Sequence, residues 1–126
     1  MVKRIIALDS CGFSETLRSG LEEEIGYEVH AFRDFGLAKD SLAAGGVCFA
    51  IVNPYGDFAG QNSPYVDFIR EELFQNHIPV LVFSRTSQKR IEKDTGLKLG
   101  ENYAAYLKKP SPVNDFVECV RGLLGN

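Results

Sequence analysis

The sequence predicts an α/β domain built on a five-stranded parallel sheet with helices on both faces. Two observations carry that expectation. Val47-Cys48-Phe49-Ala50-Ile51-Val52 and Pro79-Val80-Leu81-Val82-Phe83 are apolar runs with no period-two break, the pattern of strands buried on both faces. Between such runs, apolar residues recur every three or four positions, so strand-like and helix-like stretches alternate along the chain. A length of 126 residues suits a single domain, 1–126, able to bury roughly two-thirds of the surface its unfolded chain exposes.

Ile5 to Leu8 form the first short strand, stopped by Asp9-Ser10. Phe13, Leu17, Leu21 and Ile25 follow at a spacing of four, one face of a helix with Ser14 as N-cap and Gly26 as stop. Glu28–Phe32 is a weaker strand, and Asp34 caps a helix with inner face Phe35, Ala38 and Leu42, closed by Gly45-Gly46. The Val47–Val52 strand ends at Asn53, and Pro54 cannot donate to a ladder. A loop rich in Gly, Pro and Asn, 54–64, leads to a third helix marked by Val66, Ile69 and Leu73. The fourth strand ends at Ser84. Residues 88–94 form a helix anchored mainly by Ile91, expected to be the least firmly packed, and 96–102 read as irregular. Residues 103–107 are the last strand, before Lys108-Lys109-Pro110. Ser111 then caps a helix with Pro112 at its first position and Val113, Phe116, Val117, Val120 and Leu124 inward. Five such alternations with right-handed crossovers fit the flavodoxin-like (βα)5 architecture, a three-layer α/β/α doubly wound sheet in the order 2-1-3-4-5.

Composition narrows the function classes. A net charge of −3 argues against nucleic-acid binding, which needs a basic face. Cys11, Cys48 and Cys119 lack C-x-x-C spacing and read as small hydrophobes in a reducing compartment. The apolar run after Lys3-Arg4 is too short for a secretory signal, and nothing approaches membrane-spanning length, so the expected location is cytoplasmic, with no membrane contact. His30 and His77 read as surface residues, as do the Glu22-Glu23-Glu24 run and Lys89, Arg90 and Lys93.

In an open parallel sheet, ligands bind at the carboxyl ends of the strands. Those ends carry Asp9-Ser10, Asn53, Ser84 and Lys109-Pro110. This set resembles the receiver domain of two-component response regulators, the chemotaxis-type phosphoacceptor module. The Gly26-Tyr27 turn, Ala44-Gly45-Gly46 before strand three and Tyr106 ahead of Lys109 extend the resemblance over the whole chain. It implies that Asp9 is the first of the family's Mg²⁺-holding acid pair, with Ser10 standing at the second position. Asn53 occupies the phosphoacceptor position. Ser84 matches the hydroxyl that binds the phosphoryl group, Lys109 the lysine that pairs with it, and Tyr106 the aromatic switch. Arg85 stands where the family usually places a small residue.

The departures shape the expected chemistry. An amide is not a nucleophile like a carboxylate, so Asn53 is not expected to accept phosphate, and no catalytic residue is expected. Succinimide-mediated deamidation needs the next backbone N–H, which Pro54 lacks. With Asp9 the only matching acid, Mg²⁺ binding is expected to be weak or lost unless Asp57 compensates, and no other cofactor is expected. Arg85 is positioned to cover the pocket or to pair with Asp9. The resulting expectation is an atypical receiver, not an enzyme, that acts by protein–protein interaction. Its partner is a histidine kinase or an output protein, bound through helix four, strand five and helix five, the same face serving for a homodimer. Two alternatives stay open: a phosphorylation-competent receiver using Asp57 or Asp9 with Mg²⁺, and a flavin or nucleotide carrier. The latter is disfavoured because residues 9–15 lack a phosphate-cradling glycine run and the chain has no Trp. A plainer description is an Asp9–Lys109 ion pair closing the sheet edge with Asn53 hydrogen-bonded between them, Ser84 capping the next helix and Tyr106 packing.

Overall fold

The computed structural model describes residues 3–55 and 63–124. Strands β1 (Arg4–Leu8), β2 (Glu28–Phe32), β3 (Val47–Val52), β4 (Val80–Ser84) and β5 (Ala105–Lys108) form one parallel sheet in the order β2-β1-β3-β4-β5. The helices that alternate with them are α1 (Glu15–Ile25), α2 (Phe35–Ala43), α3 (Pro64–Asp67), α4 (Gln88–Thr95) and α5 (Val113–Leu124).

The unbroken apolar runs have a direct cause. Successive strand side chains point to opposite faces, and both faces are covered. Ile6, Leu8, Ala50, Val52, Val80 and Val82 belong to one core, with Ala38, Val66, Ile69, Leu73 and Ile91 from the helices. Ile5, Ala7, Phe49, Ile51, Leu81 and Phe83 belong to the other, with Leu21, Phe116, Val117 and Val120. Gly20 lets α1 and α5 approach closely on that second face: a Cβ there would sit 2.9 Å from Val113 Cγ2. The start of α5 is thereby held beside α1.

The expected N-caps Ser14 and Asp34 accept from Leu17 N and Gly36 N, and Gly26 closes α1 in the left-handed conformation with φ 84°. Elsewhere the structure departs from the sequence reading. The third helix starts at Pro64, with Ser63 as N-cap, and α3 runs on as a π-helical segment, Phe68–Leu73. Phe68, Ile69 and Leu73 are all buried, and the wider turn brings residues five apart onto one face. β5 starts at Ala105 rather than at 103, because the Tyr103 carbonyl accepts from Gly100 N–H at 2.8 Å in a local turn. The 96–102 segment is irregular yet cross-tied: Leu99 N–H donates to Glu92 and Lys98 N–H to Asn102, each at 2.9 Å. Ser111 donates its hydroxyl to the Lys108 carbonyl at 2.6 Å, which turns the chain into α5. α4 buries Ile91 and Thr95, and Arg70 Nη2 from the π segment donates to the Thr95 carbonyl at 2.6 Å. Among the described residues no helix is long and apolar enough to cross a membrane.

Candidate functional site

Strand register assembles the site. β1 and β3 pair Leu8 with Val52, so Asp9 and Asn53 emerge side by side, and β4 pairs Ser84 with Lys108, which brings Lys109 to the same edge. Backbone bonds fix each end: Asp9 N–H to Phe32 O and Asn53 N–H to Leu8 O, both 3.0 Å, and Lys109 N–H to Ser84 O at 2.9 Å. Asp9 is only 2% exposed, so its charge must be answered within the protein. Its Oδ1 accepts from Cys11 N–H at 3.0 Å and from Asn53 Nδ2 at 3.4 Å. Its Oδ2 accepts from Lys109 Nζ in a charge-assisted bond. The same ammonium lies 5.2 Å from the centroid of the Phe83 ring. Both carboxylate oxygens are therefore engaged.

Three strand ends share one local device. Asp9 Oδ1 accepts from the N–H of Cys11, Asn53 Oδ1 from that of Tyr55 at 3.2 Å, and Ser84 Oγ from that of Thr86 at 3.2 Å. Each is a side chain capping the backbone two residues on, the preferred turn of short polar residues. An amide performs this at position 53 as well as a carboxylate does, and its NH₂ additionally donates to Asp9. Ser84 serves its own loop rather than the next helix: the N-cap of α4 is Ser87. The aromatic on β5, Tyr106, donates its hydroxyl to the Thr86 carbonyl, and burial raises the phenol's pKa.

The described residues at this edge offer a hard divalent cation such as Mg²⁺ few carboxylate oxygens. Among the described residues no three His, Cys, Asp or Glu side chains gather into a metal-binding group. Among the described residues Asp9 is the one carboxylate at this edge, and its oxygens already hold an ammonium, an amide and a backbone N–H. Ser10 Oγ is buried with no hydrogen-bond partner, and a lone hydroxyl does not replace an acid. Asp57 lies outside the described residues.

The site opens as a cavity of about 360 Å³ lined by Cys11, Asn53, Tyr55, Arg85, Thr86 and Lys109, with Gly12 and Ser84. Arg85 is exposed at its rim and does not pair with Asp9, because Lys109 reaches the carboxylate first from the end of β5. Tyr55 and Thr86 are site residues that the sequence reading missed. Tyr55 ties the loop after β3 to α4: its hydroxyl donates to Asp94 Oδ2 at 3.2 Å, and Asp94 is also paired with Arg90 at 2.9 Å. The sole sequence signal for Tyr55 was its place two residues beyond Asn53, where a side-chain-capped turn ends.

Burial, then the Asp94 carboxylate, pushes the Tyr55 phenol up to about 12, and burial with Glu92 does the same for Tyr103. Folding thus favours the neutral phenols. Their contribution to stability is complete below the ordinary value of 10.0 and is lost as pH rises towards about 12. An absorbance titration of phenolate is expected to show both tyrosines ionising late, with chain stability falling in that window. Ordinary titration of all five tyrosines would contradict the half-buried Tyr55–Asp94 and Tyr103–Glu92 contacts.

By sequence, no family model and no curated protein matches the chain. Its three-dimensional relatives are consistent. A two-component response regulator from Clostridium difficile superposes with a TM-score of 0.76 at 15% identity, covering 98% of this chain and 97% of that one. A response regulator from Thermotoga maritima gives 0.74 at 14% identity, with all of both chains covered. The chain has the receiver-domain fold. The receiver domain of the TMAO respiratory system response regulator TorR gives 0.72 at 15% identity over 98% and 97% of the two chains. In this fold the strand carboxyl ends share one edge of the sheet, and Asn53 stands there at the end of β3.

Proposed function

We propose that this chain is a receiver domain of a two-component signalling system that no longer accepts a phosphoryl group and works by docking to protein partners. The observation that carries the reading is the Asn53 amide, which donates to Asp9 and accepts from Tyr55 N–H, while Lys109 holds the other Asp9 oxygen. Phosphoryl capture needs a nucleophile and a cation to gather charge on the transferred group. Here the nucleophile position is an amide and the cation-holding carboxylate is occupied. The chain is thus a binding module without enzymatic activity and with little affinity for Mg²⁺.

Partners are a histidine kinase or an output protein. The face that serves them is α4, β5 and α5, with the same face available for self-association. Tyr106 and Ser84, both bonded to the β4–α4 loop at Thr86, hold that face in one arrangement, and a partner that prefers another arrangement selects it.

Incubation with acetyl phosphate and Mg²⁺ is expected to leave the intact mass of the protein unchanged. A phosphoryl adduct that hydrolyses as an acyl phosphate does would overturn the reading, and peptide mapping would then locate the acid used.

A further inference from the structure

We propose that the cleft between the N-terminus of α1 and the loop leading into α5 binds a small organic anion with a flat apolar body, an aryl carboxylate being the simplest case. The cleft measures about 450 Å³, within the range of small-molecule sites. Its walls are apolar: Leu17 from α1, Phe83 from the end of β4, and Pro110, Pro112 and Val113 from the β5–α5 connection. Phe83 is fixed edge-on to Phe116, with ring centroids 4.7 Å apart, and to Phe13 at 6.2 Å, so the small part of its ring that reaches the cleft, 6% of the residue being exposed, is held rigidly.

One end of this apolar cleft is cationic. Arg85 and Lys109 line it, and both, together with Gly12, also line the cavity at the strand ends, so the two spaces adjoin. The two charges differ in kind. Lys109 is neutralised by buried Asp9. Arg4, Arg18, Arg70, Arg90 and Arg121 each donate to a carbonyl or a carboxylate, and Arg33, which lies against Gly12, does not line the cleft. Arg85 has neither among the described residues, although its planar fork of donors suits a carboxylate.

A guanidinium with no anionic partner among the described residues, at one end of an apolar cleft, selects a ligand with both a negative head and an apolar body. A neutral apolar molecule leaves Arg85 unanswered. Inorganic phosphate leaves the Leu17, Phe83 and Val113 walls uncovered. A molecule seated there touches the loops that enter α4 and α5. The inference concerns binding alone and does not depend on whether the strand-end site captures phosphate.

The test is a chemical-shift titration of the full chain with naphthoate, with naphthol and inorganic phosphate as controls. Naphthoate is expected to give saturable shifts centred on the amides of Gly12, Leu17, Arg85 and Val113, with naphthol about tenfold weaker. Arg85→Gln, an exposed substitution that leaves the core untouched, is expected to weaken naphthoate about tenfold while naphthol affinity stays the same. Absence of saturable shifts at those amides would overturn the proposal. So would naphthoate binding indifferent to Arg85→Gln, or phosphate binding as tightly as naphthoate.

Discussion

Replacing Lys109 with methionine is expected to cost about 3–5 kcal/mol of folding stability, the range for breaking a buried ion pair by removing one partner. Methionine keeps most of the apolar stem over Phe83 but removes the cation bonded to Asp9. The Asp9 side chain is 3% exposed, so water does not take the place of the ammonium. What remains on the carboxylate is one backbone N–H at 3.0 Å and a long amide contact at 3.4 Å. The converse change, Asp9→Asn, is expected to cost less, because the Lys109 side chain is 15% exposed and its flexible stem turns the ammonium towards solvent. The double variant Asp9→Asn with Lys109→Met is expected to recover most of the loss, since no buried charge is left. Denaturant midpoints of the four proteins give the cycle. A Lys109→Met variant within about 1 kcal/mol of the parent would mean that the pair does not govern the sheet edge.

Asn53→Asp is expected to change the chemistry from none to some. The new carboxylate keeps the turn to Tyr55 N–H but loses the amide donor, so two negative groups face each other where 3.4 Å now separates Asn53 Nδ2 from Asp9 Oδ1. Without a cation between them this is expected to destabilise the fold by about 1–3 kcal/mol, as an unanswered charge does. Mg²⁺ answers that charge, so thermal stability is expected to become Mg²⁺-dependent in the variant and not in the parent. The remaining parts, Ser84 with Thr86 N–H on one side and Lys109 on the other, are already in place. Acetyl phosphate with Mg²⁺ is then expected to add one phosphoryl group. A variant that binds Mg²⁺ but gains no mass would assign the remaining block to Ser10 or Arg85.

The sheet order and both cores were legible because they depend on patterns that burial enforces. An apolar run such as Ile5 to Leu8 has one comfortable place, between two covered faces. The four strand ends were legible for the same reason: once the order is fixed, Asp9, Asn53, Ser84 and Lys109 must converge. What escaped was set by side chains reaching across the chain. That Lys109, and not Arg85, answers Asp9 follows from the β4–β5 register and from which stem points inward. The Tyr55–Asp94 bond joins residues 39 apart, and no local pattern announces it. The π turn at Phe68–Leu73 also leaves no mark, since Val66, Ile69 and Leu73 satisfy an ordinary helical spacing.

The most direct measurement of the central claim is a crystal structure of the unaltered protein grown with Mg²⁺ and beryllofluoride, which mimics a bound phosphoryl group. The expected result is an Asp9 carboxylate still held by Lys109 and the Asn53 amide, with no metal and no fluoride at the strand ends. Beryllofluoride joined to a carboxylate at this edge, with Mg²⁺ bridging it to Asp9, would contradict the account.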